Sequence, residues 1–257
     1  MLPILAYHSL DDSGSVISVT PATFARQMTI LAEFGFRGLA LREAVALRKQ
    51  HGVWPARAAA ITFDDGYKNL LEHALPVLSR HGFSATIFLV SQFVGRHNDW
   101  ESPPAGFGRR ATLDWTEVRK LANAGIEIGA HTRTHPDLRS VDDETLEREL
   151  AGSQGELQEG LGAPVRSLAY PYGGAGEREF RAAARLFDAA VTTVLSRAGD
   201  EPPERLPRLD VYYLSDEARF RRAIAGKLDY YLALRRWGRA LKRRFGQDRK
   251  EAIASVE

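Results

Sequence analysis

The stretch that decides the fold is AITFDDGY, residues 60–67, in which an apolar run ends in two adjacent carboxylates and a glycine. The run predicts a buried strand, and Gly66 predicts a sharp turn at its end. Neighbouring side chains of a regular strand point to opposite faces, so Asp64 and Asp65 can share one cavity only at the strand's tip. Two buried carboxylates repel each other, and a nearby cation relieves that repulsion. The stretch therefore predicts a metal site, although Asp-Asp-Gly alone is more often a plain turn.

A second strand-like run ends in histidine further along, in IEIGAHTRTHP at residues 126–136. The spacing of His131 and His135 predicts that both imidazoles lie on one face of a single helical turn, which Pro136 ends. A lone His-x-x-x-His is as often a surface pair as a metal clamp. Together with one carboxylate, however, two imidazoles suit a catalytic zinc site that leaves a position open for water. The two stretches together favour a divalent metal site.

Strand-like and helix-like segments alternate along the chain, which predicts a parallel α/β architecture. The length of 257 residues suits one barrel with a large core. Gly38 weakens the second strand and leaves open that this strand lies outside the barrel. Strands are predicted near 2–7, 37–41, 58–63, 85–90, 126–131, 167–171, 189–194 and 206–211. Helices are predicted near 21–34, 42–50, 68–81, 115–124, 142–160, 176–186 and 216–226.

The composition excludes several classes of function, and the N-terminal sequence indicates the cellular compartment. A net charge of +2 is too small to indicate nucleic-acid binding. The absence of cysteine excludes disulfides and thiolate metal sites. The N-terminus lacks the features of a signal peptide, and no stretch approaches the roughly 20 apolar residues of a spanning helix. We therefore expect a cytoplasmic protein, or one at the inner face of a membrane.

The C-terminal segment differs in character from the rest, so we divide the chain into a barrel at 1–226 and a basic helix and tail at 227–257. Residues 230–245 combine an apolar stripe that includes Trp237 with a face rich in arginine and lysine. Such a helix can lie on an anionic membrane surface or dock on its own domain. The sequence leaves both alternatives open and does not predict an oligomeric state.

Three motifs in a fixed order carry a resemblance to a known family: TFDDG at 62–66, HTRTH at 131–135 and YPYG at 170–173. Over roughly residues 1–212 the chain resembles the polysaccharide deacetylases of the NodB-homology type, carbohydrate esterase family 4. The resemblance implies a metal-dependent hydrolase that removes acetyl groups from N-acetylated sugars. It also implies a distorted (β/α) barrel of seven or eight strands, with the site at the carboxyl ends of the strands.

The same resemblance implies a role for each motif residue. Asp64 is the implied general base, and Tyr172 is the implied donor of a backbone N–H to the oxyanion. The implied metal is Zn²⁺, with Co²⁺, Ni²⁺ or Fe²⁺ as alternatives, and its implied ligands are Asp65, His131 and His135.

The chain departs from the family pattern in the residues that would assist the base and supply the acid. Ala169 stands where the family usually has an arginine, and neither Asp-x-x-Asp-Trp nor a late Leu-x-His is present. His8 follows the first strand, which neighbours the last strand in a closed barrel. This arrangement resembles the poly-N-acetylglucosamine deacetylases, whose acid comes from an N-terminal Tyr-His. We therefore assign His8 as the general acid, against the alternative of a buried histidine bonded to backbone.

Further residues are predicted to contact the substrate or to support the site. The loop at 9–19 is expected to overhang the site, and the loop at 95–112 follows the strand next to the one that ends in Asp64 and Asp65. Sugar rings pack their C–H faces on aromatic side chains, so we predict a substrate wall that contains Tyr67, Trp100 and Tyr172, with Pro171 beside it. The sequence leaves open the alternative that Trp100 only packs its own loop. Arg208 and Asp210 share one face of the last strand, where Arg208 either orients Asp64 or forms a structural ion pair.

Two other functions are compatible with parts of the sequence. Two histidines and a carboxylate also form the iron site of non-haem oxygenases, although those usually have a β-sandwich fold. The missing motifs and the basic C-terminal segment would suit a catalytically silent sugar-binding or membrane-associated barrel. Retention of both Asp64 and His8 argues against that second alternative.

Overall fold

Strands and helices alternate along the chain, as the sequence predicts. A computed structural model describes residues 1–100 and 107–228. Its strands are β1 (Ile4–Tyr7), β2 (Ser9–Leu10), β3 (Ser18–Val19), β4 (Arg37–Leu39), β5 (Ala58–Phe63), β6 (Thr86–Leu89), β7 (Glu127–Ala130), β8 (Ser167–Ala169), β9 (Ala189–Leu195) and β10 (Leu206–Asp210). Its helices are α1 (Pro21–Glu33), α2 (Leu41–His51), α3 (Asn69–His73), α4 (Leu75–His81), α5 (Trp115–Asn123), α6 (Asp143–Leu161), α7 (Glu177–Leu186) and α8 (Glu217–Ile224).

Parallel pairing of β1 with both β10 and β5 closes the sheet into a barrel. Among the described residues the closed ring runs β1-β10-β9-β8-β7-β6-β5, which makes seven strands. The strand β4 pairs with Ala58–Ala60 of β5, on the same edge that Thr62 and Phe63 use for β6. The distorted barrel is therefore confirmed, and the strand with Gly38 is appended to the ring rather than part of it.

The helix α2 closes the amino-terminal end of the barrel. Its first N–H groups, from Leu41 and Arg42, donate to the side chains of Thr86 at 2.8 Å and Glu127 at 3.0 Å. Both acceptors lie at the amino ends of their strands, β6 and β7. Leu41 and Ala44 then pack into a buried cluster with side chains of the barrel strands. The carboxyl ends of the strands form the opposite end, where the motif residues lie.

Two local differences from the predicted elements have physical causes. The helix predicted at 68–81 is divided into α3 and α4, because Pro76 has no N–H to donate to the preceding turn. The loop at 9–19 contains the short parallel pair β2–β3, which the sequence did not predict. That pair folds the loop back on itself beside the carboxyl end of β1.

The described residues contain no helix long and apolar enough to cross a bilayer. The predicted basic helix at 230–245 lies outside the described residues, so the division of the chain at residue 226 stays a prediction.

Candidate active site

The tip of β5 directs two carboxylates toward the carboxyl end of the barrel. Asp65 and Gly66 both have left-handed backbone conformations, with φ of 72° and 64°. This breaks the alternation of the strand and allows Asp64 and Asp65 to line the same cavity. A side chain at position 66 would lie 2.4 Å from Cδ2 of Leu89, so glycine is required there for space as well as conformation. Both carboxylates are buried.

The HTRTH stretch is an irregular loop, and the predicted helical turn is wrong. Thr132 and His135 have φ of 65° and 64°, in the left-handed region that residues other than glycine seldom adopt and that is especially rare for a β-branched residue such as Thr132. The N–H of His135 donates to Oγ1 of Thr132 at 3.1 Å, which closes the loop locally. The two imidazoles meet through these two bends, whereas a helix would have brought them together through its periodicity.

A hydrogen bond from the neighbouring strand fixes the orientation of His131. Its Nδ1 lies 2.7 Å from the carbonyl oxygen of Ala169. A carbonyl can only accept, so Nδ1 carries the hydrogen and Nε2 presents its lone pair to the cavity. Ala169, where the family usually has an arginine, thus contributes through its backbone.

The three predicted ligands converge on one point. Oδ1 of Asp65 lies 3.4 Å from Nε2 of His131 and 3.5 Å from Nε2 of His135. The two Nε2 atoms are 3.2 Å apart. Ligand atoms about 2.0–2.2 Å from a tetrahedral zinc ion are roughly 3.3–3.6 Å from one another. Oδ1 of Asp65 is also buried without a hydrogen bond to any described residue. The donor set therefore fits a small divalent cation.

The electrostatics of these residues also suit a cation. Burial alone would raise the pKa of Asp65, but the adjacent His131 and His135 hold it well below its usual value. Burial, reinforced by His131, lowers the pKa of His135 to about 3, so this imidazole is neutral at pH 7. Burial opposes protonation of His131, but Asp65 and Asp64 outweigh it and raise the pKa of His131. A proton on His131 and a cation would therefore compete for the same lone pair.

Arg208 holds Asp64 in a two-point ion pair in the interior. Its Nη1 and Nη2 donate to the two carboxylate oxygens at 2.7 and 2.6 Å, and its Nε donates to the carbonyl of Thr192 at 3.0 Å. Burial alone would raise the pKa of Asp64, but the Arg208 charge and hydrogen bonds hold it below its usual value. The geometry matches both predicted roles of Arg208, because the contact that can orient Asp64 is itself a buried ion pair.

His8 lies beside Asp64 at the carboxyl end of the barrel, because the strands that these two residues follow, β1 and β5, are paired. Its Nε2 is 3.7 Å from Oδ2 of Asp64, and its side chain is 24% exposed. It follows β1, which pairs with β5 on one side and with β10 on the other. His8 lines the cavity, and its Nε2 approaches Oδ2 of Asp64, the same oxygen that accepts a hydrogen bond from Nη2 of Arg208.

The cavity above these groups has a volume of about 340 Å³ and an aromatic wall. The ring centroid of Trp100 is 5.1 Å from that of His135, and Trp100 lines the cavity. Tyr172 also lines the cavity, with 39% exposure and a left-handed φ of 57°. Its hydroxyl lies 3.2 Å from Nδ1 of His135, a contact that the sequence did not predict. The role of its backbone N–H stays a prediction.

Two predicted substrate contacts, Tyr67 and Pro171, are corrected by their burial. Tyr67 is 1% exposed and packs against Phe107 at 5.3 Å between ring centroids, so its face is not available to a sugar. Burial and the adjacent Asp65 raise its pKa, which keeps its hydroxyl neutral beside that carboxylate. Pro171 is also buried. Asp210 does line the cavity, where its carboxylate accepts the N–H of Tyr212 at 3.2 Å.

Several cavity residues were missed by the sequence analysis: Val16, Ile17, Tyr170, Thr193 and Tyr213. A signal existed for some of them. Val16 and Ile17 are apolar residues within a polar loop that was expected to overhang the site. Tyr213 follows the last strand at its carboxyl end, where side chains of a barrel meet. Thr193 lies within β9 and carried no local signal.

Comparison with known proteins places this geometry in a family. The protein named "Putative polysaccharide deacetylase YxkH" from Bacillus subtilis is 29% identical over 193 residues, which cover 75% of this chain and 64% of that protein. A Staphylococcus aureus protein named poly-beta-1,6-N-acetyl-D-glucosamine N-deacetylase is 26% identical over 165 residues, 61% of this chain and 54% of its own length. The chain thus spans between about half and two-thirds of these relatives.

A solved structure and a family model support the same assignment as these relatives. The structure of IcaB from Ammonifex degensii superposes with a TM-score of 0.69 at 23% identity. The match covers 87% of this chain and 95% of that one, which supports the fold. The profile of the family described as "Polysaccharide deacetylase" matches residues 52–191, more than half of the chain and the part that contains all three metal-ligand candidates. The chain belongs to the polysaccharide deacetylase family.

Proposed function

We propose that this protein is a metal-dependent hydrolase that removes N-acetyl groups from an N-acetylated sugar, within a polysaccharide or a lipid-linked precursor. The observation that carries the proposal is the grouping of Asp65, His131 and His135 at ligand spacing beside the Asp64 carboxylate. His8 lies within 3.7 Å of that carboxylate, in the same cavity. A metal site, a base and an acid in one cavity are the groups that amide hydrolysis requires.

Asp65, His131 and His135 would hold the cation through one oxygen and two nitrogens. This donor set suits Zn²⁺, and Co²⁺, Ni²⁺ and Fe²⁺ accept the same donors. When bound, the ion supplies Lewis-acid chemistry, which polarises the amide carbonyl and makes water a better nucleophile at neutral pH.

The residues of this chain perform the proton transfers. Asp64 accepts a proton from the attacking water, and Arg208 keeps both carboxylate oxygens in a fixed orientation. A C–O bond forms, and the backbone N–H of Tyr172 is proposed to stabilise the resulting oxyanion. The C–N bond then breaks as His8 donates a proton to the departing amine. An unprotonated amine is a poor leaving group, so the reaction requires an acid. The products are acetate and the free amino sugar.

The aromatic wall supports a saccharide as the substrate. Trp100 and Tyr172 line the cavity, Trp100 with 5% and Tyr172 with 39% of its surface exposed, and aromatic rings suit the C–H faces of sugars. The name of the Staphylococcus aureus relative supports N-acetylglucosamine as the sugar to test first. Contact of residues 230–245 with a membrane surface and a cytoplasmic location remain proposals from the sequence alone.

The fold disfavours one of the two alternative functions and is compatible with the other. An oxygenase is disfavoured, because the site lies in a (β/α) barrel with an Arg208–Asp64 pair beside it rather than in a β-sandwich. A catalytically silent sugar-binding barrel would share the fold and the aromatic wall. Catalysis itself therefore distinguishes it from the proposed enzyme.

The test is acetate release from a panel of N-acetylated oligosaccharides and lipid-linked sugars. We expect release from at least one panel member by the wild type, and none above background by Asp64→Asn, whose metal ligands are intact. Binding of a panel sugar without any acetate release would support the silent alternative. Unchanged release by Asp64→Asn would remove Asp64 as the base.

A further inference from the structure

The loop between the two metal-ligand histidines is attached to helix α6 by a buried carboxylate that belongs to none of the motifs. Glu149 is 4% exposed and lies in the middle of α6 (Asp143–Leu161). Its Oε2 accepts the N–H groups of Arg133 at 2.8 Å and Thr134 at 2.9 Å. Its Oε1 accepts the hydroxyl of Thr134 at 2.8 Å. One side chain thus satisfies three donors of the loop.

The opposite side of the loop is held by the chain that follows β6. The N–H of Ser91 donates to the carbonyl of Thr132 at 3.1 Å, and the N–H of Gln92 donates to the carbonyl of Arg133 at 3.1 Å. The loop carbonyls therefore face Ser91 and Gln92, while its N–H groups face Glu149. Buried backbone groups need such partners, so the loop has one conformation that satisfies both sides.

The side chain of Arg133 adds a third attachment. Its Nε and Nη2 bind Glu156, about two helical turns beyond Glu149 in α6, at 2.8 and 2.6 Å. Its aliphatic part lies over Gly152, where a Cβ would come within 2.5 Å of it. The Arg133–Glu156 ion pair is partly exposed, whereas the contact of Glu149 with the loop backbone is buried.

These attachments explain how the loop keeps an unfavourable backbone. Thr132 and His135, on either side of the bonds to Glu149, have left-handed φ values of 65° and 64°. Such conformations persist only where surrounding contacts determine them. The φ of His135 sets the direction of its side chain, and its Nε2 must lie 3.5 Å from Oδ1 of Asp65 to complete the ligand set.

We infer that Glu149 is a positioning residue for the metal site: it holds the left-handed loop that brings His135 to Asp65 and His131. The inference rests on the proposed function, because it requires that these three residues bind a cation. Glu149 itself does not touch the cation or the substrate. Its loss is expected to weaken metal binding through displacement of His135.

The experiment measures the zinc affinity of the full chain, first made metal-free with a chelator, and compares four variants with the wild type. Affinity is measured by competition with a chromophoric zinc chelator. We expect Glu149→Ala to weaken zinc binding on the order of 10–100-fold, as for other partners that orient metal ligands. Glu149→Gln keeps the shape and one good acceptor, so an intermediate loss is expected. Glu144→Gln makes the same chemical change at a side chain of α6 that is 90% exposed, and should leave the affinity unchanged.

A control separates positioning from general destabilisation. Leu157 is fully buried in α6 and does not touch the loop hydrogen bonds, so Leu157→Ala should lower the melting temperature without changing zinc affinity while the protein is folded. With Co²⁺ as the probe, Glu149→Gln should alter the visible absorption spectrum, which reports the ligand geometry, and Leu157→Ala should not. If Glu149→Ala does not fold, the affinity and spectrum of Glu149→Gln decide.

Two outcomes would overturn the inference in different ways. Wild-type zinc affinity and an unchanged Co²⁺ spectrum in Glu149→Gln and Glu149→Ala would refute the role of Glu149 and leave the metal site intact. Failure of the wild type to bind either metal would refute the site on which both this inference and the proposed function depend.

Discussion

Replacement of Arg208 by methionine tests whether the buried ion pair organises the site. In the wild type, Arg208 and Asp64 are nearly inaccessible to solvent and share two short hydrogen bonds. Methionine fills much of the arginine's volume, so the main loss is electrostatic. Removal of one partner of such a pair leaves a buried charge without compensation, which costs about 3–5 kcal/mol of unfolding free energy. We expect a loss of that size at about pH 7.5, measured by urea denaturation of the chelated protein.

The pH dependence of that loss identifies its cause. The native pKa of Asp64 in the wild type is below its usual value, so the pair stabilises the protein at neutral pH and this contribution is lost as the pH falls through that native pKa. Without Arg208, burial would raise the native pKa above the unfolded one. The Arg208→Met penalty should therefore be largest near neutrality and smaller at about pH 5, where the carboxyl begins to accept a proton.

Two further variants complete the test. Asp64→Asn combined with Arg208→Met should recover about 2 kcal/mol relative to Arg208→Met alone, because no buried charge remains. Arg205→Met removes one partner of a half-exposed pair with Glu177 and should cost much less. A penalty for Arg208→Met that is as small as that for Arg205→Met, or that does not change with pH, would refute the reasoning.

Other predictions concern catalysis and metal binding. His8→Ala should lower kcat about 10²–10⁴-fold on N-acetylated sugars but much less on 4-nitrophenyl acetate, whose leaving group needs no proton; equal losses on both substrates would argue against His8 as the acid. Trp100→Phe keeps a ring packed near His135 but offers a smaller face to the substrate. KM should therefore rise roughly threefold to tenfold with little change in kcat. An unchanged KM would remove Trp100 from the substrate wall. Zinc affinity should fall as the pH drops through the pKa of His131, which lies above the usual 6.5. His135, with a pKa of about 3, should not contribute to this fall near neutrality. If His131 were not a ligand, zinc titrations across that pH range would show no change in affinity.

The parts of the site that lie at strand tips could be predicted from the sequence. An apolar run that ends in Asp-Asp-Gly reveals both the strand and the position of its carboxylates. The position of His8 at the tip of the first strand was predicted, whereas its contact with Asp64 is a finding of the structure that follows from the pairing of β1 with β5. These features depend on periodicity and topology, which a single sequence carries.

The parts that depend on long-range contacts could not be predicted. The spacing of His131 and His135 fits a helical turn as well as it fits the observed loop, because residue types do not state which φ region Thr132 adopts. That choice is made by hydrogen bonds with Ser91, Gln92 and Glu149, which lie 15 or more residues away along the chain from the groups they bind. The pairing of Arg208 with Asp64 spans 144 positions, so the last strand alone left both of its roles open.

The most direct test of a catalytic cation at this site is a zinc titration of the protein after its metal has been removed with a chelator. Acetate release from an N-acetylglucosamine oligomer is followed during the titration. Asp65, His131 and His135 form one ligand group, so the rate should rise in proportion to added zinc and stop rising at about one ion per chain. Acetate release that is unaffected by chelation and zinc would contradict the proposed metal-dependent hydrolysis, as would zinc binding at these residues without any release of acetate.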